Sequence, residues 1–365
     1  VVQAITVGME IAGFRLIEQV GIGSAGEVWR GTDGTQVVAV KFLNMNLLQS
    51  PDRRKHMFRF KNEALALQHV SDLVHIPTHI HHDLDVERPY IIMQFIESAP
   101  FSDLIANGEM MYIPLPVRLN ALQRIAETLS IVHKRGIVHR DIKPSNMHGW
   151  DHPYLLDFSI GIPARASESE QIDRRVGTPL YLTPDLLPPS ARTDGYAFTI
   201  VVYEMLFGRH PIFDYRHVPD NADELRKQAG HAIMEETWQR PNRLEESDLP
   251  VNLQGADLDR LTQIFQNGLM LSDDRYADVL VFMNDVLEAV HIPENLEHLD
   301  KLPTPTDEIG AGQLADVEHF TDHFVEVYSA NTDLQEPQGI ERWGTSQWII
   351  GLSIVFGVIF IVLVI

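Results

Sequence analysis

The strongest constraint on how this chain folds is a change of hydrophobic period near residue 97. Before it, Phe14 to Val20 alternates as FRLIEQV, Glu27 to Arg30 continues in the same manner, and TQVVAVKFL and YIIMQFIE (Tyr90 to Glu97) are rich in β-branched and aromatic residues. These patterns predict strands with one half-buried face. One interruption, between Pro51 and Val70, places Phe60, Ala64 and Leu67 at helical spacing. From Val117 onward the period becomes helical: RLNALQRIAETLSIVHKRG ends at Gly136, a suitable C′ residue, and Ala197–Phe207, Leu258–Met270 and Ala277–Val290 repeat the pattern. The expectation is an α+β chain, with a β-rich first part holding one long helix and a mostly helical second part. No internal repeat is visible.

Beyond residue 290 the texture changes. Residues 291–347 are acidic, contain Pro and Gly, and read as a linker in which LADVEHFTDHFVEVY forms a short helical pattern. Trp348 to Ile365, WIIGLSIVFGVIFIVLVI, holds no charge. As a helix it spans roughly 27 Å, close to the roughly 30 Å of bilayer hydrocarbon. It is expected to be a transmembrane helix, because it offers no polar stripe for a solvent face. Arg342 precedes the run and no Lys or Arg follows it, so the positive-inside tendency puts the N-terminal side in the cytoplasm. The first residues lack the basic region of a signal peptide, and the absence of an initiator Met is expected of a fragment. The formal net charge of −22 excludes nucleic acid as a natural partner and disfavours peripheral binding to anionic lipid. With no cysteine, disulfides and thiolate metal sites are ruled out.

The chemistry begins at Gly21, Gly23 and Gly26, a G-x-G-x-x-G followed by Val28. A helix follows such glycines in dinucleotide-binding folds, but here the flanks read as strand, turn, strand. That arrangement lets backbone N–H groups of the loop Gly21, Ile22, Gly23, Ser24, Ala25 and Gly26 approach phosphates, where a Cβ would intrude. Val28 would pack on a base. Lys41, on the strand VVAVK, can supply a point charge to phosphates, and Glu63 on the next helix is the carboxylate able to hold it.

Farther on, HRDIKPSN (His139 to Asn146), LLDFSIG (Leu155 to Gly161) and GTPLYLTPD follow in order. With GIGSAGEV and VAVK, this set resembles the eukaryotic-type (Hanks-type) Ser/Thr protein kinases, including membrane-anchored bacterial ones, over roughly Gly13 to Val290. The resemblance implies a two-lobed kinase fold with a small β-rich N-lobe at 13–96, after an extension at 1–12, and a larger helical C-lobe at 97–290. It implies ATP and Mg2+ as cofactors and protein Ser/Thr hydroxyls as substrates. Asp141 would orient the substrate hydroxyl or accept its proton, and Lys143 would neutralise the γ-phosphate. Asn146 and Asp157 would hold the metal, and Lys41 and Glu63 would form the phosphate-positioning pair. Met93 would stand at the back of the adenine pocket, the backbone of Gln94 and Ile96 would bond the adenine edge, and Val28 and Ala39 would roof it. Asp194 would anchor the catalytic loop, and Arg275 would pair with Asp185.

Three departures stand out. Ser159 occupies the position of a glycine in the metal loop, and opens the alternative of a nucleotide-binding pseudokinase that scaffolds partners. The stretch from Asn146 to Asp157 is short, with His148 where an apolar adenine-floor residue is usual, so either the alignment slips or the floor is unusual. Glu170 falls near the expected phosphosite of the activation segment, with Ser167 and Ser169 beside it, and could pair permanently with Arg140. In the linker, Thr304 with Asp307 three residues later resembles the ligands of forkhead-associated domains.

Overall fold

The computed structural model describes residues 4–23, 26–159, 161–163, 177–183, 188–212, 244, 256–271 and 274–290. Ser24, Ala25, Ser167, Ser169, Glu170, Asp185, the acidic linker with Thr304 and Asp307, and the apolar run at 348–365 lie outside the described residues. Among the described residues no helix is long and apolar enough to cross a membrane.

Two compact units emerge, one comprising Val1–Gln68 with Pro77–Ile96, the other His69–Ile76 with the described residues from Glu97 on. The first is built on a six-stranded antiparallel sheet of order β1-β2-β3-β4-β6-β5. Its strands are β1 (Glu10–Ile11), β2 (Phe14–Ile22), β3 (Gly26–Thr32), β4 (Val37–Leu43), β5 (His79–Asp83) and β6 (Tyr90–Gln94). Cross-strand partners share a face, so the register Trp29↔Val40↔Ile92 builds one side of the sheet. Phe14, Leu16, Val38 and Phe42 join it in a buried core, onto which Ile5, Met9 and Ile11 pack. The sheet therefore begins at Glu10, and the expected N-terminal extension is partly structural. A second difference is β6, which ends at Gln94 rather than Glu97 because Val38, its last partner on β4, marks the end of the ladder. Strand β5 escaped detection because its sequence, HIHHD, carries no apolar alternation.

Between β4 and β5 lie α1 (Met45–Leu48) and α2 (Arg53–Val70). Helix α2 buries Phe60, Ala64 and Leu67, the residues whose spacing predicted it. Its first turn holds no acidic residue but opens on Arg53, Arg54 and Lys55, charges that the helix dipole disfavours at this end.

In the second unit, α3 (Phe101–Ala106) leads to α4 (Leu115–Lys134), followed by the short strands β7 (Ile137–Val138), β8 (Met147–His148), β9 (Tyr154–Leu155) and β10 (Ile162–Pro163). Helices α5 (Ala191–Phe207), α6 (Leu258–Gly268) and α7 (Val279–Val290) follow among the described residues. Every residue of α5 from Asp194 to Leu206 is buried, as its near-continuous apolar sequence requires. This helix starts three residues before Asp194, where Thr193 folds back on Ser190: the Ser190 N–H donates to Thr193 Oγ1 at 2.9 Å, and the hydroxyl donates to Ser190 O at 2.7 Å. Edge-to-face rings of Tyr203, Phe265 and Phe282 tie α5 to α6 and α7. Arg118 of α4, fully buried, donates to Met205 O at 2.6 Å and so occupies a last-turn carbonyl of α5; burial lowers its pKa to about 10.

Candidate active site

In the first unit the sheet register gathers the predicted nucleotide residues on the side opposite the core. Val28 pairs with Lys41, and Ala39 pairs with Met93, so all four share one face. Lys41 is buried and donates to Glu63 Oε1 of α2 at 2.5 Å; Glu63 is buried too. A buried ion pair of this kind adds little net stability, because desolvation offsets attraction, yet removing one partner costs about 3–5 kcal/mol. Its value is positional: it fixes the ammonium in a place where a free lysine would swing. The Gln94 N–H is spent on Thr78 O at 2.9 Å.

The glycine loop divides in a way the sequence did not reveal. A Cβ on Gly21 would meet nothing within 4 Å, and one on Gly23 would find Gly26 O at 3.8 Å. Space for an approaching phosphate is therefore real at these two positions. At Gly26 a Cβ would stand 2.3 Å from Phe42 O, so this glycine is required by the close approach of β3 to β4 and not by a phosphate. Directly after it, Glu27 accepts from Gln19 Nε2 at 2.8 Å, from Trp29 Nε1 at 3.2 Å and from Arg88, which ties the loop's exit strand to the turn before β6.

The second unit holds the predicted catalytic segment, and its geometry is organised by one carboxylate. Asp194 accepts from His139 N at 2.7 Å, Arg140 N at 2.8 Å and His133 Nε2 at 2.8 Å. Complete burial would raise its pKa, but the hydrogen bonds and the His133 and His139 imidazoles outweigh burial and hold it below the ordinary carboxylate value. The anchored amides let Arg140 keep a left-handed φ of 70°, a conformation that costs of order 1–3 kcal/mol unless its surroundings enforce it. His139 adds a second tie: its Nδ1 accepts from Asp141 N at 3.3 Å, while Nε2 faces Leu156 O at 3.0 Å. Its ring packs 4.6 Å from that of buried Phe158. The loop bearing Asp141 and the loop bearing Asp157 are thus joined through one imidazole.

Around Asp141 every polar neighbour is accounted for. Thr178 Oγ1 donates to Oδ1 at 2.8 Å, Lys143 Nζ lies 2.9 Å from Oδ2, and Lys143 also donates to Thr178 at 2.9 Å. Asn146 Nδ2 donates to Asp141 O at 2.8 Å and to Oδ2 at 3.1 Å. With its NH2 committed, Asn146 has its carbonyl oxygen to offer a cation. Asp157 sits at φ 64°, a left-handed conformation that Asp tolerates better than most residues. Among the described residues no cluster of three His, Cys, Asp or Glu could hold a metal alone. Two oxygen donors, Asn146 and Asp157, suit Mg2+, which keeps water or phosphate oxygens in its remaining positions.

Thr178 lies in the GTPLYLTPD stretch, and its bond to Asp141 depends on a fold that brings residues 37 apart together. His133 was missed altogether, because a histidine in the last turn of a helix carries no distinguishing signal. The short stretch after Asn146 is absorbed without slippage. Strands β8 and β9 pair in register, Met147 with Leu155 and His148 with Tyr154. Gly149 turns between them at φ 75°, where a Cβ would lie 2.7 Å from His152 O. His148 Nδ1 meets Ser98 O at 2.8 Å, and burial lowers its pKa. Ser159 is not among the described residues with positive φ, so a side chain at this glycine position introduces no left-handed strain. Arg275 is buried over the ring of Tyr196, 5.6 Å from its centroid.

Fold and site together are those of a protein kinase. Residues 14–289 match the protein kinase domain family, and the chain belongs to that family. Curated relatives include serine/threonine-protein kinase A of Synechocystis, 34% identical over 233 residues, which cover 57% of this chain and 42% of that protein. PknE of Mycobacterium tuberculosis is 30% identical over 213 residues, covering 56% of this chain and 36% of PknE. The chain thus spans less than half the length of these relatives. Crystal structures of the M. tuberculosis PknI kinase domain share the fold, one with a TM-score of 0.53 at 20% identity, covering 79% of this chain and all of that domain.

Proposed function

We propose that the chain transfers the γ-phosphate of ATP to Ser and Thr hydroxyls of proteins, including its own. The observation that carries this reading is the set around Asp141. The carboxylate is held by Lys143, Thr178 and Asn146 within 3.1 Å, which is what orienting a hydroxyl beside a developing anionic charge demands. Asp141 and Thr178 also line one cleft of the second unit, where a substrate hydroxyl would enter. Lys143 supplies positive charge to the transferred group, and Lys41, fixed by Glu63, supplies it to the other phosphates. Mg2+, when bound, neutralises charge on the phosphate oxygens, and Asn146 and Asp157 are the residues that would hold it. The relatives named as serine/threonine kinases support the same reading.

We further propose that residues 348–365 tether the protein to a membrane as a single-pass helix with the kinase domain in the cytoplasm. Phosphorylation of Thr304, followed by Asp307, would create a ligand for a forkhead-associated partner. Protease protection in sealed vesicles tests the first; a kinase domain digested from the outside refutes it. Phosphopeptide mapping of the linker tests the second. For the chemistry, Asp141→Asn should cut phosphoryl transfer by orders of magnitude while ATP still binds, and Asp157→Ala should weaken Mg2+-dependent ATP binding itself. Autophosphorylation at the wild-type rate in either variant overturns the assignment.

A further inference from the structure

The glycine loop is the end of the β2–β3 hairpin, and the ladder that carries it is irregular. Strand β2 slips register twice against β3, between Leu16 and Glu18 and again between Gln19 and Gly21, and the last pair is Ile22 with Glu27. Each slip leaves a residue unpaired and disrupts the ladder locally. Past the last pair, Gly23 N–H donates to Gly26 O at 2.8 Å, while Gly21 and Gly23 have open space beside them. Glycine widens the conformations open to such a segment. Backbone pairing alone therefore holds the loop's amides loosely, and ordering them for a phosphate costs affinity unless something else orders them first.

A side-chain clamp stands at the root of the loop. Glu27 is the last ladder residue on the exit side, and its partner Phe42 pairs in turn with Tyr90. That row is two residues along from Trp29, Val40 and Ile92, so Glu27 lies on the core side of the sheet, away from Val28 and Lys41. Both of its oxygens are taken. Oε2 accepts from Gln19 Nε2 at 2.8 Å and from Trp29 Nε1 at 3.2 Å, and Oε1 accepts from Arg88 Nη2. Gln19 and Trp29 belong to the hairpin itself, whereas Arg88 does not. It stands in the turn between β5 and β6, and in the sheet β4 separates β3 from β6. The guanidinium passes over β4, with Cζ 5.7 Å from the centroid of the Phe42 ring. Arg88 is only 9% exposed. A guanidinium withdrawn from water in this way needs a paired anion to offset its desolvation, and the anion it reaches is the one at the loop's root.

We propose that Arg88 is a positioning residue for the phosphates of ATP, acting through Glu27. It fastens the irregular hairpin end to the turn before β6, so that only the glycine segment beyond Glu27 is left to adapt to the nucleotide. Neither side chain touches a phosphate, since both lie on the core side. The inference rests on the ATP reading of the loop and adds to it the residue that preorganises the loop.

The test is isothermal titration calorimetry on the full chain in nonionic detergent, with Mg2+-ATP and with adenosine, which has no phosphates. Arg88→Met and Glu27→Gln should each raise the Kd for ATP about tenfold, equivalent to about 1.4 kcal/mol, and leave that for adenosine within about twofold. The double variant should bind ATP no more weakly than either single one, because both changes break the same contact. In phosphorylation assays the loss should appear in KM for ATP, with kcat at saturating ATP near the wild-type value. Glu18→Gln serves as the control: Glu18 pairs with Arg30 across the same two strands at 3.3 Å, farther from the loop and more exposed, and its loss should not change ATP binding. If Arg88→Met fails to fold, Glu27→Gln alone still decides. ATP and adenosine weakened together, additive losses in the double variant, or ATP binding unchanged in both single variants each overturn the proposal. A wild-type chain that binds adenosine but not ATP refutes the ATP reading itself and this inference with it, whereas a wild type that binds ATP beside indifferent variants refutes this inference alone.

Discussion

Gly26 separates two explanations that the glycine-rich loop invites. If all three glycines serve phosphate approach, alanine at any of them should act on ATP and leave stability alone. The structure requires otherwise. In β3, Gly26 pairs with Leu43 and its neighbour Glu27 pairs with Phe42, and a Cβ at Gly26 would lie 2.3 Å from Phe42 O and 3.3 Å from Phe42 C. Non-bonded carbon contacts settle near 3.5 Å, so β3 and β4 must part by about 1 Å at this point. Overpacking of this size costs about 1–3 kcal/mol, and each ladder hydrogen bond stretched in the process removes about 0.5–1.5 kcal/mol. A total of about 2–4 kcal/mol follows, which lowers Tm by roughly 5–12 °C in a protein of this size. Gly21→Ala and Gly23→Ala meet open space and should change stability by less than about 0.5 kcal/mol; their effect should be a raised KM for ATP. Differential scanning calorimetry on the three variants in parallel, with ATP titrations beside it, decides the matter. A Gly26→Ala protein that melts with the wild type, or a Gly21→Ala protein that falls as far, would refute the steric argument.

Ser159→Gly should leave a working kinase with activity changed by no more than about tenfold, about 1.4 kcal/mol in barrier, since the serine sits at an ordinary φ. A wild-type chain inactive with Mg2+ and Mn2+, switched on by Ser159→Gly alone, would restore the pseudokinase alternative. His210 predicts an acid-sensitive fold. Its buried neutral ring faces Leu180 O through Nε2 at 3.1 Å and accepts from Ile212 N at 3.2 Å, and burial pushes its pKa down to about 3. Between that value and about 6.5 the unfolded chain binds the extra proton and the folded chain does not. This contribution is therefore complete above pH 6.5 and lost as pH falls towards 3, by roughly 4–5 kcal/mol in all. Urea melts of wild type and His210→Gln across this window should converge as pH drops; parallel curves would remove His210 as the cause.

What the sequence determined by itself were the local features: the change of period, the helix phase of Phe60, Ala64 and Leu67, and the ordered motifs that mark the site. Each depends on neighbours a few residues away, or on a side-chain type that one chemistry demands, and both can be read from a string. Tertiary structure decided what depends on closeness between distant segments. Whether Gly26 answers to a phosphate or to Phe42 is a matter of strand separation. That Asp194 gathers His133, His139 and Arg140 depends on a helix and a loop meeting 55 residues apart. Strand β5 was invisible because an edge strand of histidines has no alternation to detect, and pairing with β6 makes it a strand. On α2 Phe58 is exposed and Phe60 buried because the fold chose which side of the helix to cover, and burial, unlike charge, belongs to the packed chain.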